Sequence, residues 1–384
     1  MTLPLDHLVV VELGHSVAAP IAGLILAELG ATVVKIENPE GGDDARSWGP
    51  PFLHGAASMF QAINRNKRSV TADIKDETQR EALRRYIIEK ADVVVQNMRP
   101  GLVERYGLDA KSLRAEKPSL IYCNLTAFGS DGPMKATPGY DPLLQAFGGL
   151  MSVTGHEGAE PVRTGPSIID QGAGMWAVIG ILTALQRRNA TGEGCEVDTS
   201  LFETALSWMC MHTASYLASG RVPQRTGTEN GGMAPYKAYQ ASDGWVVIAA
   251  ANDNLFRRFA TSVGHPEWAE DPQMNTNSNR VRNRERVNAL VAEVIKTQSR
   301  QHWIDTLANV SVPCAPLQTL DEVLNHPQTE AVGMLQRSQD GQFQLMGLPL
   351  QFDGARPNFR KNPPALAEDN ELLFPQDASV RSSA

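Results

Sequence analysis

The stretch Leu8-Val-Val-Val-Glu-Leu13, followed by Ala31-Thr-Val-Val-Lys-Ile-Glu37, decides the fold of this chain. Both runs are short, apolar and rich in β-branched residues, which is typical of strands buried on both faces of a parallel sheet. Between them, Pro20 to Leu29 has a helical pattern, with proline near its first turn and Gly30 just past its end. The order strand, helix, strand predicts a βαβ unit.

The same alternation of strands and helices continues further along the chain. Asp76 to Lys90 is predicted to be a helix, and Asp92 to Gln96 and Ser119 to Asn124 are predicted strands. This alternation indicates an α/β fold with a doubly wound parallel sheet, which binds its ligands at the carboxyl ends of the strands. The loop Gly14 to Pro20 lacks the GxGxxG pattern, which disfavours a dinucleotide-dependent redox enzyme.

A change in composition divides the chain into two domains. Residues 1–219 are assigned to the large domain, and residues 220–235 are polar and Gly-rich, which predicts a linker. Residues 236–325 are predicted to form a smaller α+β domain. It starts with a β-hairpin from Tyr236 to Ala249, with Asp243-Gly244 in the turn, and continues with two or three helices. The Pro-rich tail from Pro357 is predicted to be an arm lying over a surface.

Composition and charge narrow the class of protein. The chain has 384 residues, a net charge of −8 and 42% hydrophobic residues, which is ordinary for a globular protein and argues against general nucleic-acid binding. Its four cysteines include no CxxC pair, and the eight histidines have no metal-ligand spacing. We find neither a signal peptide nor an apolar run long enough to span a membrane. The sequence predicts a cytoplasmic protein with no metal site.

Asp170 is the strongest candidate for a catalytic residue. It follows the apolar pair Ile168-Ile169 and precedes a Gly-rich stretch with helical periodicity. A carboxylate at such a junction can be a helix N-cap, whose oxygens accept the first free N–H groups. It can also be a nucleophile, since an ionised carboxylate that amide donors hold in place can attack an activated acyl carbon. The small residues Gly172, Ala173 and Gly174 would let a bulky substrate approach the backbone.

Six segments, in order along nearly the whole chain, resemble the class III CoA-transferases, the family of formyl-CoA transferase and carnitine CoA-transferase. They are Leu26 to Glu37, Gly42 to Pro51, Asn64 to Ser69, Ala91 to Gly101, Gly139 to Ala146 and Val312 to Pro316. The resemblance implies a Rossmann-like large domain that residues 326–384 complete, a smaller domain, and a homodimer of two interlocked chains.

The resemblance also implies the chemistry and places the family's nucleophilic aspartate on Asp170. The carboxylate attacks an acyl-CoA thioester to give a mixed anhydride, and the CoA thiolate then forms an aspartyl-CoA thioester. A small carboxylic acid finally accepts the CoA. CoA thioester is a substrate in this scheme, and no permanently bound cofactor or metal is needed.

Further site residues follow from positions that match the family. Those assigned to the acyl site are Ser16, Val17, Tyr140, Asp141, Gly231 and Gly232. Those assigned to CoA binding are Ala72, Lys75, Asn97, Met98 and Arg105. Val17 and Asn38 depart from formyl-CoA transferase, which has glutamine and arginine there, so a formyl or oxalate substrate and one phosphate contact are in doubt. Arg46 and Arg163 are candidates for gripping a second carboxylate, since arginine matches carboxylates in a bidentate fashion.

Two other functions remain open at this stage. An α-methylacyl-CoA racemase would have a histidine in the motif that here contains Tyr140, and tyrosine is a poor base near neutral pH. A non-catalytic CoA-binding protein would bind CoA without turnover. The individual residues also have ordinary structural interpretations: Lys75 and Arg105 as solvated surface charges, and Asn97 as a strand-end cap.

Overall fold

The computed structural model describes residues 3–375, which form two compact units. Unit 1 comprises residues 3–150, 163–219 and 327–375, and unit 2 comprises residues 151–162 and 220–326. The predicted linker differs from the structure, because residues 220–235 belong to unit 2. Their hydrogen bonds explain this: the N–H of Gly227 donates to the Gly155 carbonyl over 2.8 Å, and Thr228 Oγ1 accepts from the N–H of Ala238 over 3.0 Å.

Unit 1 is built on a six-stranded parallel sheet, which confirms the predicted α/β class. Its strand order is β5-β2-β1-β6-β7-β8. The strands are β1 (Val9–Leu13), β2 (Thr32–Glu37), β5 (Arg68–Thr71), β6 (Val93–Gln96), β7 (Ile121–Thr126) and β8 (Glu196–Ser200), and two small hairpins add β3 (Phe52–Leu53), β4 (Ala56–Ala57), β12 (Leu335–Arg337) and β13 (Gln344–Met346).

Helices cover both faces of this sheet. Those of unit 1 are α1 (Ala18–Glu28), α2 (Ser58–Asn64), α3 (Glu77–Lys90), α4 (Leu102–Arg105), α5 (Ala110–Glu116), α6 (Asp141–Phe147), α7 (Leu150–Val153, which continues into unit 2), α8 (Ile168–Thr191), α9 (Leu201–Trp208), α10 (Cys210–Ser219) and α16 (Pro327–Ala331). Val10 of β1 packs in the core that contains α1 and α8, whereas its neighbour Val11 packs in the core that contains α3 and α5. Alternate residues of one strand therefore serve opposite cores, as a doubly wound sheet requires.

Helix α8 is the one helix among the described residues that is long and apolar enough to cross a membrane. Half of its most apolar window is buried inside the protein, where Ile169, Ala177 and Ile181 belong to the core. The length and composition of α8 are therefore equally typical of a buried core helix.

Unit 2 contains a three-stranded antiparallel sheet packed against helices. The strands, in the order β11-β10-β9, are β9 (Tyr236–Ala241), β10 (Gly244–Ala249) and β11 (Cys314–Pro316), so the predicted hairpin is present. The helices are α11 (Asp253–Ser262), α12 (Asn277–Arg282), α13 (Arg284–Ile295), α14 (Arg300–Asn309) and α15 (Leu320–Leu324). Phe256, Phe259 and Trp303 fill the core of this unit.

Candidate active site

The candidate site of unit 1 lies where the strand order of the sheet reverses. From β1 the chain builds outward through β2 and β5, and it then returns to the other side of β1 with β6. Ligands of doubly wound sheets bind at the carboxyl ends of the strands that flank this reversal, here β1 and β6. Asn97, directly after β6, joins the two loops: its Oδ1 accepts from the His15 N–H over 3.0 Å, and its Nδ2 donates to the His15 carbonyl over 2.9 Å.

The loop from Gly14 to Val17 connects β1 to α1 in an unusual conformation. Ser16 has a φ of 69°, in the left-handed region that non-glycine residues rarely adopt. Ser16 and Val17, both predicted acyl-site residues, are buried, and Val17 gives α1 no side-chain cap. Within the described chain, the N–H groups of Ala18 and Ala19 have no hydrogen-bond partner, as is usual for the first turn of an uncapped helix.

Asp170 is the third residue of α8 and is not its N-cap, so that interpretation is wrong. The N-cap is Ser167, whose side chain makes no capping bond. Asp141, at the start of α6, supplies the cap instead. Its Oδ2 accepts from the N–H of Ile169 over 2.8 Å and from the N–H of Asp170 over 3.1 Å. The amide donors thus hold Asp141, and Asp141 in turn fixes the helix end that carries Asp170.

Two residues that the sequence did not single out support Asp141. The side-chain amide of the buried Gln145 donates to Asp141 Oδ1 over 2.5 Å, and its Oε1 accepts from the N–H of Thr164 over 2.9 Å. Asp141 and Gln145 are four residues apart on α6, a spacing that places side chains on one helix face. That spacing was the available signal, whereas the contact with Thr164 is purely tertiary.

The carboxylate of Asp170 is half-buried and accepts no hydrogen bond from any residue of the described chain. Burial, together with the nearby negative charge of Asp141, raises the pKa of Asp170 to about 7. Desolvation disfavours the ionised form, and a second carboxylate adds repulsion. Near neutral pH a large fraction of Asp170 is therefore ionised, poorly solvated and reactive, which suits a nucleophile better than a salt-bridged carboxylate would.

Gly172 and Gly174, two of the small residues after Asp170, pack against neighbouring helices. Gly172 and Gly174 are buried in α8. A β-carbon at Gly174 would lie 2.8 Å from the Ala18 carbonyl oxygen, and one at Gly172 would lie 2.8 Å from the Trp208 ring. Helix α8 therefore packs closely against the first residue of α1 and against α9. Asp170 lies one turn before Gly174 on α8.

The residues predicted to bind CoA follow the carboxyl ends of β5 and β6. They are Ala72, Lys75, Asn97, Met98 and Arg105, of which Ala72 is buried and Lys75 and Arg105 are exposed. The Met98 N–H donates to Gln96 Oε1 over 2.7 Å, and the guanidinium carbon of Arg105 lies 5.6 Å from the centre of the Tyr106 ring. Since both hydrogen-bonding ends of the Asn97 side chain engage His15, the geometry favours a loop-positioning role for Asn97 over direct CoA contact.

The two arginines proposed to grip a second carboxylate lie in different surroundings. Arg46 is already paired: its Nε and Nη2 each donate to Glu37 over 2.7 Å, and its guanidinium also bonds the Pro364 carbonyl over 3.2 Å. Its assignment to substrate is therefore replaced by a structural role, because a satisfied guanidinium has little left to offer an acid. Arg163 is exposed, and only its Nη1 is engaged within the described chain, with the carbonyls of Thr164 and Gly165.

The other predicted acyl-site residues are divided between the units. Tyr140 precedes Asp141 in unit 1 and is 55% exposed, so its ring is open to a ligand. Gly231 and Gly232 lie in a loop of unit 2, where their carbonyls accept from Arg284 Nη2 over 2.7 Å and from Asn277 Nδ2 over 2.9 Å. These bonds tie the loop down in the structure.

The chain is similar to known proteins over most of its length. Residues 5–370 match the profile of CoA-transferase family III. The chain is 36% identical to a succinate–glutarate CoA-transferase of Agrobacterium fabrum, over 86% of this chain and 84% of that protein. It is also 36% identical to an acetyl-CoA:oxalate CoA-transferase of Acetobacter aceti, over 96% and 95%.

A solved structure has the same fold over almost its full length. A CAIB/BAIF family protein from Brucella suis is 40% identical and superposes with a TM-score of 0.88, covering 97% of this chain and 99% of that one. The match to the family profile and the named relatives confirm the family expected from the sequence. The chain belongs to the family III CoA-transferases and is an enzyme of that family.

Proposed function

We propose that this enzyme moves CoA from an acyl-CoA thioester to a free carboxylic acid through covalent intermediates on Asp170. The observation that carries the proposal is the half-buried carboxylate of Asp170, which no described donor neutralises and which Asp141 fixes at the start of α8. A carboxylate in this state has a raised free energy when ionised, and attack on an acyl carbon relieves it.

The proposed steps conserve atoms and charge. Asp170 attacks the thioester carbonyl carbon and expels CoA thiolate, which leaves a mixed anhydride. The thiolate attacks the aspartyl carbonyl carbon, forming aspartyl-CoA and releasing the original acid as its carboxylate. The acceptor carboxylate attacks the carbonyl carbon of aspartyl-CoA and expels CoA thiolate, which gives a second anhydride. The thiolate then attacks the acceptor's acyl carbon and releases Asp170 as its carboxylate. Negative charge develops on a carbonyl oxygen in every step, and the unpartnered N–H groups of Ala18 and Ala19 are the proposed donors to it.

The preferred acids are proposed to be dicarboxylates of the succinate or glutarate type. One relative is named for succinate and glutarate, and the buried apolar Val17 offers no amide to a small polar acyl group. Oxalate is the second candidate, because another relative of equal identity is named for it. A panel of acyl-CoA donors and free acids, read by mass spectrometry of the CoA products, distinguishes them. Transfer to succinate or glutarate is expected to exceed transfer to oxalate, and efficient use of formyl-CoA with oxalate would overturn the preference.

Replacing Arg163 with glutamine is expected to raise KM for a dicarboxylate by roughly tenfold to a hundredfold. An arginine–carboxylate contact contributes about 1.5–3 kcal/mol, and the Nε and Nη2 groups of Arg163 are available to make it. A monocarboxylate of equal chain length has no distal group and should be spared. The measurement is steady-state kinetics with both acids.

The matched control is Arg85→Gln, which removes an exposed arginine from α3. It should leave both KM values unchanged. An equal effect of Arg163→Gln on the two acids would mean that Arg163 serves the structure of its loop instead.

The two alternative functions have less support. A racemase would need an acid or base on each side of the α-carbon, and the position next to Asp141 is Tyr140. The relatives compared above are named as transferases, which also disfavours a protein that binds CoA without turnover.

We also propose that the enzyme is a homodimer, as the interlocked arrangement of the family implies. Unit 1 exposes a group of large apolar side chains along three consecutive helices. They are Met175, Trp176, Ile179 and Leu182 of α8, Leu206 and Trp208 of α9, and Met211, Tyr216 and Leu217 of α10. Helix α10 has no buried residue, so its apolar side chains remain exposed within the described part of the chain. Apolar surface of this extent marks a protein interface.

Sedimentation across a wide dilution range is expected to show a dimer with no folded monomer. Interlocked chains must open before they separate, so dissociation and unfolding should coincide. The midpoint of unfolding should rise with protein concentration, since the folded state is the dimer. A reversible equilibrium between dimer and folded monomer would contradict interlocking.

A cytoplasmic location is part of the proposal. All four cysteines are unpaired, and Cys123 is buried in the core of unit 1. Unpaired thiols are typical of reducing compartments.

A further inference from the structure

A cluster of buried charges lies directly beneath the loop between β1 and α1. Lys35 Nζ lies 2.9 Å from Glu12 Oε1 and 2.8 Å from Asp43 Oδ2, and Lys67 Nζ lies 2.8 Å from Glu12 Oε2. All four side chains are almost fully buried, between 0% and 3% exposed. A buried ion pair is weak evidence for stability, because desolvation offsets much of the attraction. The cost of burying these four charges therefore indicates that the cluster has a function other than stabilising the fold.

The cluster holds the start of α1 from both sides. Before the helix, Lys35 Nζ donates to the Gly14 carbonyl over 2.7 Å, and Asp43 Oδ1 accepts from the Ser16 N–H over 2.9 Å. Within the first turn, Lys67 Nζ donates to the Pro20 carbonyl over 2.8 Å. The Glu12 carboxylate fits only because residue 23 is glycine: a β-carbon there would lie 1.9 Å from Glu12 Oε2.

The bond from Ser16 to Asp43 maintains a strained backbone. Ser16 has a φ of 69°, and a non-glycine residue in this region is disfavoured relative to the right-handed region. Although burial alone would raise it, the Lys35 ammonium lowers the pKa of Asp43, so the carboxylate that holds Ser16 stays ionised. The same carboxylate accepts from the N–H of Ala45 over 2.9 Å, which fixes its orientation.

We propose that Asp43 and Lys35 are positioning residues for CoA transfer, which hold the Gly14–Val17 loop so that the first amide groups of α1 face the reacting carbonyl oxygen near Asp170. This inference rests on the proposed function, since it assumes that the thioester reacts at Asp170. Ala18 connects the two elements, because its carbonyl packs against α8 at Gly174, one turn beyond Asp170. When Ser16 relaxes to the right-handed region, the first amide donors of α1 move, whereas Asp170 stays in place.

Four chains test the inference: Ser16→Ala and Ser16→Gly, each with Asp43 intact and each combined with Asp43→Asn. Both changes at residue 16 remove the hydroxyl, but only glycine adopts a positive φ without strain. With Asp43 intact, the alanine and glycine chains should have similar kcat. When Asp43→Asn is also present, the glycine chain should exceed the alanine chain by about fivefold to thirtyfold in kcat, with the KM for acyl-CoA nearly unchanged. Equal kcat values for the two chains that carry Asp43→Asn would overturn the proposal.

Asp44→Asn is the matched control, since Asp44 is the exposed neighbour and the change in charge is the same. Asp44→Asn should leave both kcat and the hydrogen–deuterium exchange rate of the Ser16 amide unaltered. The amide-exchange arm needs no activity, so it separates a failure of this inference from a failure of the proposed function. The peptide containing Ser16 should exchange at least tenfold faster in Asp43→Asn than in the parent.

If Asp43→Asn does not fold, amide exchange in the parent enzyme alone still tests whether Asp43 holds Ser16. The Ser16 amide should exchange far more slowly than the amides of the exposed loop residues 130–132. Exchange of Ser16 as fast as that loop would show that Asp43 does not hold it.

Discussion

Replacing Asp170 with asparagine is expected to lower kcat for CoA transfer on the order of 10⁴-fold or more. The amide keeps the size of the side chain but cannot attack a thioester. The N–H groups of Ile169 and residue 170 still bond to Asp141, so the start of α8 should be preserved. Steady-state transfer assays measure the loss of kcat, and circular dichroism checks that the variant remains folded.

Asp131→Asn is the control, because it removes an exposed carboxylate of unit 1 without touching α8. It should transfer CoA at the parental rate. Transfer by folded Asp170→Asn within tenfold of the parent would exclude Asp170 as the nucleophile.

The same variant is expected to be more stable than the parent at pH 8. The folded-state pKa of Asp170 is about 7, above the ordinary value of 3.8, so the parent loses stability as the pH rises from about 4 to about 7, and the loss is constant at higher pH. Below about pH 4 the side chain is protonated in both states, and the difference should vanish. For a half-buried group the gain should be on the order of 1–2 kcal/mol. Denaturant unfolding at pH 8 and pH 4 measures it.

The second large effect is the pH dependence of the reaction and its change in Asp141→Asn. Transfer requires ionised Asp170, so kcat/KM for acyl-CoA should rise with pH and level off above about pH 7. Burial is the larger cause of the raised pKa, and the Asp141 charge is the smaller. Removing that charge should move the acidic limb down by roughly one pH unit. It should also lower kcat, because asparagine has one acceptor oxygen, whereas Asp141 accepts with both oxygens, one from the N–H groups of α8 and one from Gln145.

Gln145→Leu separates the two roles of Asp141. It removes the amide that orients Asp141 but leaves the charge in place, so kcat should fall while the acidic limb stays near pH 7. An unchanged limb in Asp141→Asn would show that Asp141 does not tune Asp170 electrostatically.

The central strands were predictable because strands that are buried on both faces are nearly continuous apolar runs. The sequences of β1 and β2 are runs of this kind. Strand β5 was missed because Arg68-Ser-Val-Thr71 is polar, and it lies at the edge of the sheet. There the C-terminal segment covers it: the Ser69 N–H donates to Asp369 and the Thr71 N–H donates to Asn370.

The location of Asp170 was predictable, but its surroundings were not. Its cap comes from Asp141, 29 residues away, and no spacing rule connects the two. Gly172 and Gly174 weakened the helical pattern, because close packing against α1 and α9 requires glycine where helix propensity disfavours it. Arg46 had the right chemistry for a carboxylate and proved to be bound to Glu37 of the neighbouring strand end.

The most direct test of the account is to trap the aspartyl-CoA intermediate. The enzyme is incubated with acyl-CoA in the absence of an acceptor acid, digested at low pH and analysed by mass spectrometry. The account predicts a peptide containing Asp170 whose mass is increased by that of CoA less one water, and its disappearance on adding a dicarboxylic acid or hydroxylamine. Rapid transfer with no covalent CoA on any peptide, or an adduct on a different carboxylate, would contradict it.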